Sequence, residues 1–348
     1  MLSLWRSTLR RRVFVSALAG VFVVVGGLAA RSLVTREERV PSPTVTGATL
    51  PPATPSPTLA PASLTPSPPR TDTASPSPTA SPSPTATSTT TSTPTATPSA
   101  TPTPVPLPTP DGVARRLRVP ILMYHYLSSP PPDADAIRRG LSVSPEQFEE
   151  HLRYLKQAGY ETISLHDLAL ALQIGQPLPE RPIIITFDDG YRDNYENAFP
   201  LLQAYGFTAT FFLITDLIDG GNEAYLTWDQ VIAMHQAGMA IEAHGRTHPD
   251  LRGRDVDFLV WQVLGAKEAI EARREEPVRF FCYPSGKYDD LVVRVLHSAH
   301  YWGAVTVHPG VEHTSDRMFE LSRVRVPGDM TAHGLAATLD AYMNAGER

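Results

Sequence analysis

From Val119 onward the chain alternates between short apolar runs and stretches with helical spacing. Val119–Tyr126 (VPILMYHY) reads as a buried strand. Ser144-Pro145-Glu146-Gln147 then supplies an N-cap, a proline at the first helical position and a glutamine placed to complete a capping box. Phe148, Leu152 and Leu155 follow on one face before Gly159. Thr162–Leu165 is the next strand candidate and Asp167–Ile174 the next helix. Pro182–Phe187 (PIIITF) is a fully apolar strand that ends directly on two aspartates. The unit repeats through helix Asn194–Tyr205, strand Thr208–Thr215, helix Thr227–Ala237 and strand Met239–Ala243. It continues through helix Val256–Arg274, strand Arg279–Tyr283, helix Asp290–Ala299, strands Gly303–Val307 and Leu321–Val326, and helix Ala332–Tyr342. Seven or eight strand–helix units in series predict a distorted parallel (β/α)7–8 barrel, with its active site at the carboxyl ends of the strands.

The N-terminal third follows another pattern. Arg6, Arg10, Arg11 and Arg12 lie in a basic segment, residues 1–12, before an uncharged, mainly apolar run from Val13 to Ala30. Eighteen such residues are long enough to span a bilayer, and the preceding arginines predict a cytoplasmic N-terminus. A signal anchor is the expectation; Gly27, Ala29 and Ala30 leave a cleaved signal peptide as the alternative. Residues 41–110 hold 21 of the chain's 35 prolines among Thr, Ser and Ala. That composition cannot offset its ordering entropy and predicts a disordered stalk. The folded domain is expected over 113–345, outside the cytoplasm and tethered to the membrane, or secreted if the leader is cleaved.

Charge sharpens this division. The whole chain carries −6 and its first forty residues +5, so residues 111–348 carry −11. An acidic domain argues against nucleic acid or an anionic polymer as partner, because phosphate binding needs lysine and arginine. The single cysteine, Cys282, cannot form an intramolecular disulfide.

The candidate chemistry falls at predicted strand ends. Asp188 and Asp189 follow Phe187; adjacent side chains diverge, so one can ligate a metal while the other holds a water. Asp-Asp-Gly is also a common turn. His244 and His248 are four apart at the end of another strand and can offer two imidazole nitrogens to one ion. An Asp-His-His set leaves an open coordination position, as catalytic metal sites do. Pro284-Ser285-Gly286 ends a third strand and can aim a backbone N–H at an oxyanion. Trp228, Trp261 and Trp302 could stack on sugars but read as core. Asp133 and Asp135 could border a glycan groove but read as a plain loop, and His308 and His313 read as surface histidines.

Thr186-Phe187-Asp188-Asp189-Gly190, His244-x3-His248 and the Pro284-x-Gly286 turn, in this order, resemble the polysaccharide deacetylases of carbohydrate esterase family 4, the NodB homology domain. The likeness covers roughly residues 117–327 and extends to the opening Val119–His125. It implies a hydrolase that removes N- or O-acetyl groups from peptidoglycan, chitin-like or poly-N-acetylglucosamine glycans with a divalent ion, Zn²⁺ first and Co²⁺ or Ni²⁺ as alternatives. By the same likeness Asp188 is the base, Asp189, His244 and His248 are the metal ligands, and Ser285 with Tyr283 borders the oxyanion and substrate. Three positions depart from the pattern. Gly245 stands where a hydroxyl usually braces the loop, Cys282 where an arginine orients the base, and Leu321-Ser322-Arg323 where Leu-x-His supplies the acid. The last two changes resemble a branch of the family with a Tyr-Pro-x-Gly turn. His125 is the leading substitute for the acid. The alternative is a glycan-binding module with a degenerate site.

Overall fold

The computed structural model describes residues 107–345 except Glu275. The expected basic segment, membrane span and nearly all of the stalk lie outside the described residues. Among the described residues no helix is long and apolar enough to cross a membrane.

The elements run β1 (Arg116–Arg118), β2 (Ile121–Tyr124), α1 (Ala136–Leu141), α2 (Pro145–Gln157), β3 (Glu161–Thr162) and α3 (Leu165–Ile174). After β4 (Pro182–Phe187), a π-helical turn Asn194–Ala198 runs into α4 (Phe199–Tyr205). Then come β5 (Thr210–Leu213), α5 (Thr215–Asp219), α6 (Trp228–Gln236), β6 (Ala240–Ala243) and α7 (Val256–Arg274). The chain closes with β7 (Phe280–Cys282), α8 (Asp290–Ser298), β8 (Gly303–Pro309), β9 (Glu312–Thr314), β10 (Leu321–Arg325) and α9 (Ala332–Asn344).

Seven parallel strands close a ring in the order β2–β10–β8–β7–β6–β5–β4 and back to β2. β3 is the eighth strand of the series and stays outside this ring. It pairs only with Pro182 and Ile183, the first two residues of β4, on the edge that β5 takes farther along; Ile163 N donates to Ile183 O, and Thr208 N to Thr162 Oγ1. Proline is tolerated there because a strand's first residue can forgo a ladder donor. The predicted strand over 162–165 is shorter than expected because Ser164 turns to cap α3 with a capping box through Asp167. The Ser144–Gln147 box at the start of α2 forms as its spacing requires. Four short elements carry too little periodicity to be read in advance: α1, α5, and the antiparallel pair β1–β9.

One seam of the ring is thin. β6 and β7 share a single register pair, Ala243 with Phe281. Glu242, buried on β6, closes the gap with its own carboxylate: Oε2 accepts the N–H groups of Arg279 and Phe280 at 2.8 Å each. A side chain thus satisfies donors that the ladder leaves over.

Alternation along the strands decides what faces the barrel axis. Tyr124 on β2 and Phe187 on β4 point outward and pack edge-on against Phe148 of α2, with ring centroids at 5.2 and 5.6 Å. Phe187 also stacks on Phe211 of β5 at 4.9 Å. The next residue on each strand therefore points inward, and these are His125 and Asp188. The aromatic layer buries several large rings, each contributing about 1.5–3 kcal/mol, and so holds the inward-facing polar residues in register.

Candidate active site

A pocket of about 690 Å³ opens at the carboxyl ends of the strands. It is lined by His125, Asp188, Asp189, His244, His248, Tyr283 and Ser285, so all seven residues singled out from the sequence meet there. Three of them hold backbone conformations that L-residues seldom adopt: φ is 75° at Asp189, 59° at His248 and 53° at Ser285. Only one other non-glycine among the described residues, His300, shares that region. Such strain persists where surrounding structure over-determines it, commonly at binding and catalytic sites.

Asp189, His244 and His248 form one cluster. Asp189 Oδ1 lies 3.3 Å from His244 Nε2 and 3.5 Å from His248 Nε2, and the three ligand atoms fall within 4.8 Å of one another. The Nδ1–H of His244 donates to the Cys282 carbonyl at 2.7 Å, which leaves Nε2 free to face an ion. In this arrangement His244 binds a proton more tightly than a free imidazole. Burial opposes that charge, but Cys282 and the Asp189 carboxylate outweigh it. His248 moves the other way, through burial and the nearby His244. A divalent cation fits this donor set of two imidazoles and one carboxylate.

Asp188 belongs to a separate network. Arg323 donates to both its oxygens, Nη1 to Oδ1 and Nη2 to Oδ2, each at 2.7 Å. Both residues are buried. Arg323 is fixed in turn by Nε donating to the Thr306 carbonyl at 2.8 Å and Nη1 donating to Thr186 Oγ1 at 3.1 Å. Burial alone would raise the Asp188 pKa; the guanidinium outweighs it and holds the carboxyl below the usual range. Cys282 Sγ sits 3.4 Å from Asp188 Oδ2 and 3.3 Å from Arg323 Nη2. Asp188, His244 and Cys282 also bring possible ligand atoms together. With both Asp188 oxygens bound to Arg323 and His244 Nδ1 bound to Cys282 O, that second cluster is held by hydrogen bonds.

The departures at Cys282 and Arg323 are thus one exchange between two strands. A guanidinium does reach the aspartate, from β10 rather than β7, and the thiol fits where β7 has no arginine. Arg323 fills its position in the middle of β10 with a buried side chain, leaving no imidazole there. Gly245 is also accommodated. Gln262 on α7 accepts the N–H groups of Arg246 and Thr247 through Oε1, at 2.9 and 3.2 Å, and donates to Thr247 Oγ1 at 2.6 Å. Gly245 has φ 81°, and a Cβ there would stand 3.1 Å from Gln262 Oε1. The brace of the histidine loop comes from the helix that follows it, 15 and 16 residues on from the groups it binds, and no local signal in the sequence announces it.

His125 Nε2 lies 3.8 Å from Asp188 Oδ2. Burial lowers its pKa against the pull of the two aspartates. The Asn194 side chain donates to the His125 carbonyl at 2.8 Å and anchors this strand end. Tyr283 lines the pocket with its body, while its hydroxyl donates to the Phe319 carbonyl. His313, read as a surface residue, is instead buried with Nε2 against the Val119 carbonyl, because β1–β9 pairing covers it. His308 is exposed, Trp302 is buried, and Trp261 is exposed on α7. Asp135, read as part of a plain loop, caps α1 by accepting the Arg138 N–H and lies at the pocket rim. Asp133, in the same stretch, is exposed.

Known proteins can now be set beside this geometry. A sequence model of the polysaccharide deacetylase family matches residues 175–304. The Bacillus subtilis (strain 168) protein YxkH, named as a polysaccharide deacetylase, is 32% identical over 224 residues, 64% of this chain and 77% of that protein. The poly-β-1,6-N-acetyl-D-glucosamine N-deacetylase of Escherichia coli (strain K12) is 31% identical over 112 residues, 28% of this chain and 17% of that protein. Among solved structures, the Streptococcus pyogenes deacetylase PplD, in complex with acetate, superposes with a TM-score of 0.60 at 28% identity. The match covers 65% of this chain and 99% of PplD. The Bacillus anthracis protein BA0330, named as a polysaccharide deacetylase, gives 0.57 at 29% identity, covering 64% of this chain and 69% of that one. With YxkH matched along three quarters of its length on a closed parallel barrel, the chain belongs to the polysaccharide deacetylase family.

Proposed function

We propose that this domain hydrolyses acetyl groups on an amino-sugar polysaccharide, releasing acetate and a free amine. The reading rests on one observation above the others: two adjacent aspartates in one pocket, one grouped with two histidines and the other held ionised by a buried arginine. A divalent cation bound by Asp189, His244 and His248, with Zn²⁺ the first candidate, would polarise the acetyl carbonyl and acidify water. Asp188, kept as a carboxylate by Arg323, takes the proton from the attacking water. The Ser285 N–H, at the strained turn after β7, is assigned to the oxyanion. His125, whose Nε2 lies 3.8 Å from Asp188 Oδ2 in the same pocket, is assigned to pass the proton that Asp188 takes from the water on to the departing nitrogen.

The E. coli relative's substrate suggests the class, a polymer of N-acetylglucosamine. An N-terminal membrane anchor and an extended stalk, if residues 13–30 and 41–110 behave as their composition suggests, would set the domain outside the membrane facing such polymers. The alternative, a binding module without turnover, was motivated by Gly245, Cys282 and Arg323. Gln262 and Arg323 now account for those positions, which removes its motive.

The test is acetate release from N-acetylglucosamine oligomers by the full chain, after chelation and after adding back Zn²⁺, Co²⁺ or Ni²⁺. Release that chelation stops and metal restores is the expected result. No release with any metal, or full release by Asp188→Asn, overturns the proposal.

A further inference from the structure

The strand that carries His125 runs past the end of its hydrogen-bonded ladder. β2 pairs with β4 as far as Tyr124 and Phe187, and Asp188 N donates to the Tyr124 carbonyl at 3.0 Å. At Asp189 the β4 chain bends away through φ 75°, and the ladder ends there. Tyr126 finds its partners on the other edge. Its N–H donates to the Leu141 carbonyl at 3.2 Å, and its own carbonyl accepts from Val143 N at 3.1 Å. Alternation along extended backbone turns the carbonyls of His125 and Leu127 the opposite way, toward the place that β4 has left.

Two side chains from one turn fill that place. Asn194 Nδ2 donates to the His125 carbonyl and Asn197 Nδ2 to the Leu127 carbonyl, each at 2.8 Å. Asp193 completes the clasp. Its Oδ2 accepts from Ser128 Oγ at 2.7 Å, and its Oδ1 accepts from Asn194 Nδ2 at 3.0 Å. Both asparagines lie in the π-helical turn Asn194–Ala198, a form frequent at functional sites. Asn194 is fully buried, and its Oδ1 has no hydrogen-bond partner. An unmet buried amide oxygen costs stability, so packing alone would favour an apolar residue here; the donor is what the site gains.

We infer that Asn194 and Asn197 are positioning residues for proton transfer, holding the His125 end of the strand where its imidazole can serve the departing nitrogen. This rests on the deacetylase reading above and on His125 as the proton carrier. When the C–N bond breaks, its electron pair goes to nitrogen, which takes a proton from His125. His125 recovers one from Asp188, which took it from the attacking water. A displacement of about 1 Å is enough to disable such a step while substrate still binds.

The experiment compares two acetyl substrates on the full chain loaded with Zn²⁺: an N-acetylglucosamine trimer, whose amine needs a proton to leave, and 4-nitrophenyl acetate, whose phenolate does not. Asn194→Ala and Asn197→Ala should each lower kcat on the amide about tenfold or more, with KM little changed and the ester nearly unaffected. Asn194→Ala added to His125→Ala should cost no further amide turnover, because the two act through one step. Should Asn194→Ala fail a thermal melt, Asn197→Ala, at a part-buried position, carries the same comparison. Equal losses on amide and ester, a further loss on top of His125→Ala, or unchanged amide turnover in both asparagine variants overturns the inference. A wild type that releases acetate from neither substrate overturns the deacetylase reading itself, which separates the two failures.

Discussion

Asp188 and Asp189 are neighbours in the chain, yet they occupy opposite kinds of surroundings. The Asp188 side of the pocket is sealed: both oxygens are taken by Arg323 and a thiol packs beside them. The Asp189 side is open. His248 is part-exposed there, and Asp189 bends back through a left-handed backbone to meet two imidazoles. The difference separates two tasks that one carboxylate could not perform together. A base must start each turnover ionised, which a fixed cation ensures, whereas a metal ligand needs lone pairs left free toward a site that substrate can enter.

If that separation is real, the largest effect comes from Asp188→Asn. Turnover should fall about 10²–10⁴-fold, while Zn²⁺ binding, measured by calorimetry, stays close to wild type. A parallel loss of metal affinity would mean that the two carboxylates share one role. Asp189→Asn should do the reverse, weakening metal affinity first.

Next in size is Arg323→Met, which strands Asp188 in a buried site. Breaking one side of such a pair should cost about 3–5 kcal/mol in urea unfolding. The pH dependence has a definite sign. Asp188 has a depressed folded pKa, so its pairing stabilises the fold above the ordinary carboxylate range and that gain is lost as pH falls. Without Arg323, burial dominates and the pKa rises, so the acid limb of kcat/KM should move to higher pH. An acid limb that stays in place would show that Arg323 is structural only.

The open side can be loosened without touching a ligand. Gln262→Ala removes both acceptor contacts to the histidine loop and should lower Zn²⁺ affinity about 10–100-fold. Unchanged affinity would mean that backbone strain alone shapes the loop. The smallest effect is far from the pocket. Ser144→Ala deletes the cap of α2 and should cost about 1 kcal/mol in thermal unfolding with catalysis intact. A change in kcat there would show that α2, through Phe148 under Tyr124 and Phe187, transmits to the site.

The same contrast marks how far the chain could be read in advance. The Asp189 side was legible because its ligands are few, chemically distinctive and set at strand ends. The Asp188 side was only half legible. Cys282 and Arg323 read as two separate losses, 41 residues apart, and only parallel pairing of β7 and β10 on either side of β8 makes them one exchange. Gln262 and Glu242 gave no signal, since a polar residue within a helix or strand usually faces water. α1 was missed because six residues after a proline-rich loop carry no usable period.

By itself, then, the amino-acid sequence determined the repeating strand–helix units, the strands that end on chemistry and the residues able to hold a cation. These depend on local periodicity and residue type, which short-range physics dictates. Tertiary structure alone decided that β3 stays outside the ring, that a guanidinium from β10 holds Asp188, and that helix α7 braces the histidine loop. Those outcomes depend on which distant side chains share one buried space. Burial makes each unpaired polar atom costly, so partners are chosen by proximity in the closed barrel rather than by order along the chain.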